Sequence, residues 1–109
     1  MLKLSQKTIK KVNALRSLFP RKINIHVRRS EDGGFCAEAV TFPGIFTEAE
    51  TLSELIEMVN DAIRTYFEIP TKYLAYMPNY LPPVALAIQL DEFPVKKINK
   101  DITMTWVST

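Results

Sequence analysis

Few residues of this 109-residue chain have types and spacings suited to chemistry. His26 is the single histidine. General acid–base or nucleophilic catalysis would need it within hydrogen-bond reach of a nucleophile and an orienting partner, and no recognised motif surrounds it. It reads as an outward strand residue, solvated or part of an interface. Cys36, the single cysteine, excludes an internal disulfide and a multi-cysteine zinc site. No basic neighbour in sequence activates it as a thiolate, so it reads as a small strand residue. The carboxylates Glu50, Glu54, Glu57, Asp61 and Glu68 recur at helical spacing, with Glu48 just before them. Such a stripe suits a partner of basic surface, although the solvated side of any amphipathic helix shows a similar face. Lys7, Lys10 and Lys11 form a smaller basic face that suits nucleic-acid phosphates or plain solvation. No residue is assigned a catalytic or metal-ligating role, and no cofactor is implied.

The whole-chain composition limits what these residues can belong to. The length suits one domain, residues 1–109, and hydrophobic content of 47% with three glycines argues for a folded globular chain. A lone cysteine favours a reducing compartment. No stretch approaches the ~20 apolar residues of a membrane span, and no signal-peptide core stands at the N-terminus. A soluble, cytoplasmic protein is expected. Net charge is only +2, yet residues 1–30 hold nine bases and no acid, while residues 31–70 hold nine acids against Arg64 alone. The two blocks either complement each other, within the chain or across a dimer, or face different partners.

The elements that position these groups follow from periodicity. Residues 5–19 place Ile9, Val12, Leu15, Leu18 and Phe19 on one broad side of a helix that Pro20 ends. Ile23, Ile25 and Val27 then alternate with Asn24, His26 and Arg28, the period of a half-buried strand. Asp32-Gly33-Gly34 permits a tight reversal into an antiparallel second strand, where Phe35, Ala37 and Ala39 share a face. Phe42-Pro43-Gly44 turns the chain into a short third strand over 45–49. Thr51 and Glu54 have capping-box spacing, and Leu52, Leu55, Ile56, Val59, Ala62, Ile63, Tyr66 and Phe67 give a long helix its apolar side. Residues 70–83 read as an irregular connection rich in proline and tyrosine. Val84–Leu90 alternates as a strand suited to parallel pairing through a right-handed crossover, and Ile102–Val107 as an added edge strand.

The succession Asp32-Gly33-Gly34-Phe35, an alanine-containing strand, Pro43-Gly44, Thr47-Glu48-Ala49-Glu50-Thr51 and Leu52-Ser53-Glu54-Leu55 resembles the HicB-like antitoxin family over about residues 22–70. The resemblance implies a β-β-β-α-β unit similar to a truncated ribonuclease H fold. It also implies a role in neutralising a small messenger-RNA-cleaving toxin of double-stranded-RNA-binding type. Many members add a C-terminal DNA-binding domain; the tail here, residues 91–109, is short and β-like and carries no helix-turn-helix pattern. Ile45 and Ala49 stand where the family often has cysteine and glycine, and the basic N-terminal helix is additional. An active ribonuclease H-like site would need three or four carboxylates around two magnesium ions. Glu38, Glu48, Asp91 and Glu92 are the outward candidates, and nothing on the first strand completes them.

These observations converge on an α+β fold: a sheet backed by helix 51–68, a basic N-terminal helix over residues 1–20 and a HicB-like core over 22–91. The extension, 92–109, supplies the edge strand. The N-terminal helix is expected on the exposed sheet face or at a dimer interface. The expected function is non-enzymatic, a HicB-like antitoxin that occludes a small basic toxin ribonuclease through Glu48, Glu50, Glu54, Glu57 and Asp61. The alternative is a stand-alone HicB-like binding module without a toxin. Either is expected to form a homodimer or higher oligomer. Lys7, Lys10 and Lys11 are the candidate nucleic-acid contacts, and no membrane association is expected.

Overall fold

The computed structural model describes residues 5–29, 33–83 and 99–107. The fold is α+β, in the order α1 (Gln6–Arg16), β1 (Lys22–Arg29), β2 (Phe35–Ala39), β3 (Phe46–Ala49) and α2 (Leu52–Tyr66), then a 3-10 helix (Thr71–Tyr76), β4 (Asn79–Leu81) and β5 (Asn99–Val107). The five strands form one sheet in the order β3-β2-β1-β5-β4, and every pairing is antiparallel.

Local chemistry starts and stops these elements as the residues require. Ser5 caps α1 by accepting from the Thr8 amide at 3.1 Å. Thr51 caps α2 in the same way, accepting from the Glu54 amide at 3.2 Å. Gly33 and Gly44 take φ of 97° and 96°, a region closed to most side chains, and so allow the reversals on either side of β2. β1 alternates buried Ile23, Ile25 and Val27 with outward residues, and its register sets Ile25 opposite Ala39 and Ile102. Ala37 and Ala39 keep the sheet shallow where α2 lies across β3 and β2. Leu55, Val59 and Ile63 fill the space between them and are almost wholly buried.

Three sequence expectations are corrected. β5 is not an edge strand: it runs between β1 and β4, with Ile102 and Met104 buried against the core. Its alternation shows in the sequence, but its place depends on β1, whose long free side it pairs from Lys22 to Arg28. Residues 70–83 are not wholly irregular, since they hold the 3-10 helix and the short strand β4. The N-terminal helix does not lie on the exposed sheet face. Val12 and Phe19 join the core that α2 covers, Phe19 stacks on Phe67 with ring centroids 4.8 Å apart, and Arg16 lies over the Trp106 ring. The expected strand Val84–Leu90 lies outside the described residues.

Candidate functional site

One face of the sheet carries both helices, and among the described residues no element packs on the other. Glu54, Glu57 and Asp61 project from α2 on the side opposite Leu55, Val59 and Ile63, and all three are exposed. Glu50 is exposed in the bend between β3 and α2. Glu48 is separated from these four: it stands on the sheet face away from the helices, opposite Cys36, just around the β3 edge. The five carboxylates therefore wrap one margin of the molecule rather than forming a single helical stripe.

No cation among the described residues pairs with Glu48, Glu50, Glu54, Glu57 or Asp61. Arg64, the one base of residues 31–70, bonds other partners instead. Its Nη2 donates to Asn79 Oδ1 and, at 3.5 Å, to the Pro78 carbonyl. The sequence reading did not foresee this. A groove of about 640 Å³ runs between the helix and β4 beside this contact, lined by Glu57, Met58, Asp61, Arg64 and Leu81. Lys7, Lys10 and Lys11 are exposed on α1.

On the face away from the helices, register places His26 between Glu38 on β2 and Asp101 on β5. His26 Nδ1 lies 2.6 Å from Asp101 Oδ1. A histidine and a carboxylate in contact form the orienting half of a catalytic triad, but the residues flanking His26 across both strands are carboxylates rather than nucleophiles. Asp101 was not singled out from sequence, because only the pairing of β5 with β1 brings it to His26. Glu38 and Glu48 lie on this face on neighbouring strands, Glu38 opposite Phe46. The other two acids of the nuclease set, Asp91 and Glu92, lie outside the described residues. Among the described residues no group of three His, Cys, Asp or Glu side chains could hold a metal ion. Cys36 Sγ is 3.9 Å from Glu48 Oε1.

Asn60 and Tyr80 are the structural residues that the sequence reading missed. Asn60 is buried on α2 and bonds both main-chain groups of Tyr80. The Tyr80 hydroxyl donates to the Pro20 carbonyl, tying β4 to the exit of α1. Burial pushes this phenol up to about 12. The available signal was a lone asparagine among the apolar positions of a strongly periodic helix.

Two curated proteins match part of the chain. A UPF0150 protein from Archaeoglobus fulgidus is 38% identical over 48 residues, which span 44% of this chain and 70% of the relative. The chain belongs to the UPF0150 family. A second UPF0150 protein, from Thermotoga maritima, is 41% identical over 39 residues, 36% of this chain and 54% of that relative. UPF0150 is the HicB-like family, so these matches agree with the resemblance carried by the turns and the capped helix. No family model and no solved structure matches the chain. Among the described residues, no helix of this UPF0150 protein is long and apolar enough to cross a membrane.

Proposed function

We propose that this UPF0150 chain acts as a HicB-like antitoxin: it binds a small basic ribonuclease that cleaves messenger RNA and holds it inactive by covering its RNA-binding surface. One observation carries the reading. The carboxylates Glu50, Glu54, Glu57 and Asp61 stand exposed and, among the described residues, uncompensated, while the sole nearby base in sequence, Arg64, bonds Asn79 and Pro78. An RNA-gripping protein must present a basic surface, and carboxylates fixed on a packed helix meet it with little ordering cost. In this reading the chemistry belongs to the partner, and the chain itself is non-enzymatic. Its residues position charge and exclude RNA.

The test is co-expression with the product of the neighbouring reading frame. Support requires that product to be a short basic protein of double-stranded-RNA-binding type, to co-purify with this chain, and to cleave RNA only when freed from it. An isolated gene whose product is a homo-oligomer with no such partner would instead favour the stand-alone binding module. Magnesium-dependent cleavage of an RNA–DNA hybrid by the chain alone, lost on Glu38→Ala or Glu48→Ala, would overturn both readings.

A further inference from the structure

The sheet has two edges, and α2 closes one of them. At the β4 edge, Tyr80 is paired with Trp106, whose own amide points the other way and bonds the Arg21 carbonyl at 2.8 Å. The Tyr80 amide and carbonyl accordingly face outward, and the Asn60 side chain takes both, at 2.7 and 3.0 Å. A side-chain amide there occupies the place of a neighbouring strand.

The β3 edge is different. The Ala39 amide bonds the Ile45 carbonyl at 3.0 Å, so alternate residues of β3, beginning with Ile45 and continuing through Thr47 and Ala49, direct their main chain toward β2. Phe46 and Glu48 direct theirs outward, and among the described residues nothing bonds these groups. Amide and carbonyl pairs at i and i+2 are what an added antiparallel strand uses. Natural edges are commonly blunted with lysine, proline or a bulge. β3 has no lysine or proline, and its Phe46 is 50% exposed.

We propose that the β3 edge accepts an extended, basic segment of a partner polypeptide as an antiparallel sixth strand. This names the part of the partner that the acidic margin reads, and so rests on the antitoxin reading above. Phe46 and Glu48 supply the main-chain bonds. The incoming residue opposite Glu48 is basic, and the one opposite Phe46, two positions later, is apolar. A depression of about 510 Å³ opens on the same face, bounded by Gly34, Cys36, Glu48 and Glu50, with room for a long cationic side chain against both carboxylates. A second copy of the chain fits less well. Two-fold pairing of β3 with itself sets Glu48 against Phe46 and offers neither copy's Glu48 a cation.

The probe is a fluorescein-labelled peptide, Lys-Thr-Lys-Thr-Val-Thr, titrated into the full chain beside a control with glutamate at both lysine positions. Saturating peptide should slow hydrogen exchange of the Phe46 and Glu48 amides about tenfold or more, and the acidic control should not. Phe46→Pro removes an outward donor while sparing the β2 ladder, and should weaken binding at least about tenfold. Glu48→Gln should weaken it about threefold and flatten its salt dependence. If Phe46→Pro fails to fold, hydrogen exchange of the wild-type chain decides alone. Peptide binding that leaves both amides unprotected overturns the proposal, and so does equal binding of the acidic control. Protection that rises with protein concentration without peptide overturns it in favour of a second copy. Sensitivity of the peptide to Glu57→Lys alone moves the contact to α2: the edge proposal fails and the antitoxin reading stands. Edge protection without any co-purifying ribonuclease has the opposite effect.

Discussion

The Asn60 side chain holds both main-chain groups of Tyr80, donating from Nδ2 to the carbonyl and accepting at Oδ1 from the amide. Asn60→Ala strands a buried donor and a buried acceptor, so it should cost about 2–4 kcal/mol, read as a lowered urea midpoint with little change in slope. An unchanged midpoint would mean that water or a rearranged β4 satisfies both groups. Tyr80 adds a pH dependence. Its folded pKa, about 12, stands above the ordinary 10 because burial disfavours the phenolate. Folding therefore favours the protonated ring: its contribution is complete below pH 10 and is lost as pH rises through 12. The loss should reach about 2–3 kcal/mol. Tyr80→Phe should be less stable by about 1 kcal/mol at neutral pH, through the lost bond to Pro20, yet show a smaller decline above pH 10. Equal alkaline decline in both proteins would assign the effect elsewhere. Neither role was legible in the sequence. The asparagine was visible as a polar interruption, but its partner lies 20 residues away in a stretch without period.

At the scale of elements, legibility followed local signal. The cap at Thr51, the 3.6-residue period of α2 and the glycine turns are written within a few residues, and they specify β1, β2, β3 and α2. The places of β4 and β5 depend on pairings between distant segments. The end of α2 shows how local rules are also broken. Ile69 donates to the Arg64 carbonyl at 3.1 Å and Glu68 to the Thr65 carbonyl at 2.9 Å, the pattern of a Schellman cap, with Glu68 at φ 53° in the position glycine favours. A side chain there costs about 1–2 kcal/mol, partly offset because glycine loses more chain entropy on folding. Glu68→Gly should stabilise by about 0.5–1 kcal/mol and raise the melting temperature by about 2–5 °C. Since Glu68 lies past the last turn of α2, binding of a basic partner should be unchanged. A destabilised variant would show that the glutamate makes a contact outweighing its backbone strain.

For the molecule as a whole, charge separation is the property with the widest reach. Nine bases without an acid precede residue 31, and a block of net charge −8 follows over residues 31–70. The fold does not bring the two blocks into ion pairs: among the described residues Lys7, Lys10 and Lys11 stay exposed on α1 while Glu54, Glu57 and Asp61 stay exposed on α2. Of the two meanings of the blocks, mutual neutralisation within the chain loses ground, and the acidic margin is left as a field directed at solvent. Such a field acts mainly on encounter: it raises the association rate of an oppositely charged partner and fades as salt shortens its range. Glu57→Lys with Asp61→Lys should leave folding stability within about 1 kcal/mol, because both side chains are exposed and neither has an ion-pair partner among the described residues. Under the proposed antitoxin function, with its basic ribonuclease as ligand, the same pair should lower the association rate about tenfold or more at low ionic strength, the deficit shrinking toward about 0.5 M salt. The dissociation rate should change less, since the proposed main-chain pairing and apolar contact at β3 are untouched by these substitutions. Stopped-flow measurement across a salt series separates these terms. An association rate indifferent to both substitutions, or to salt, would place the contact surface away from α2.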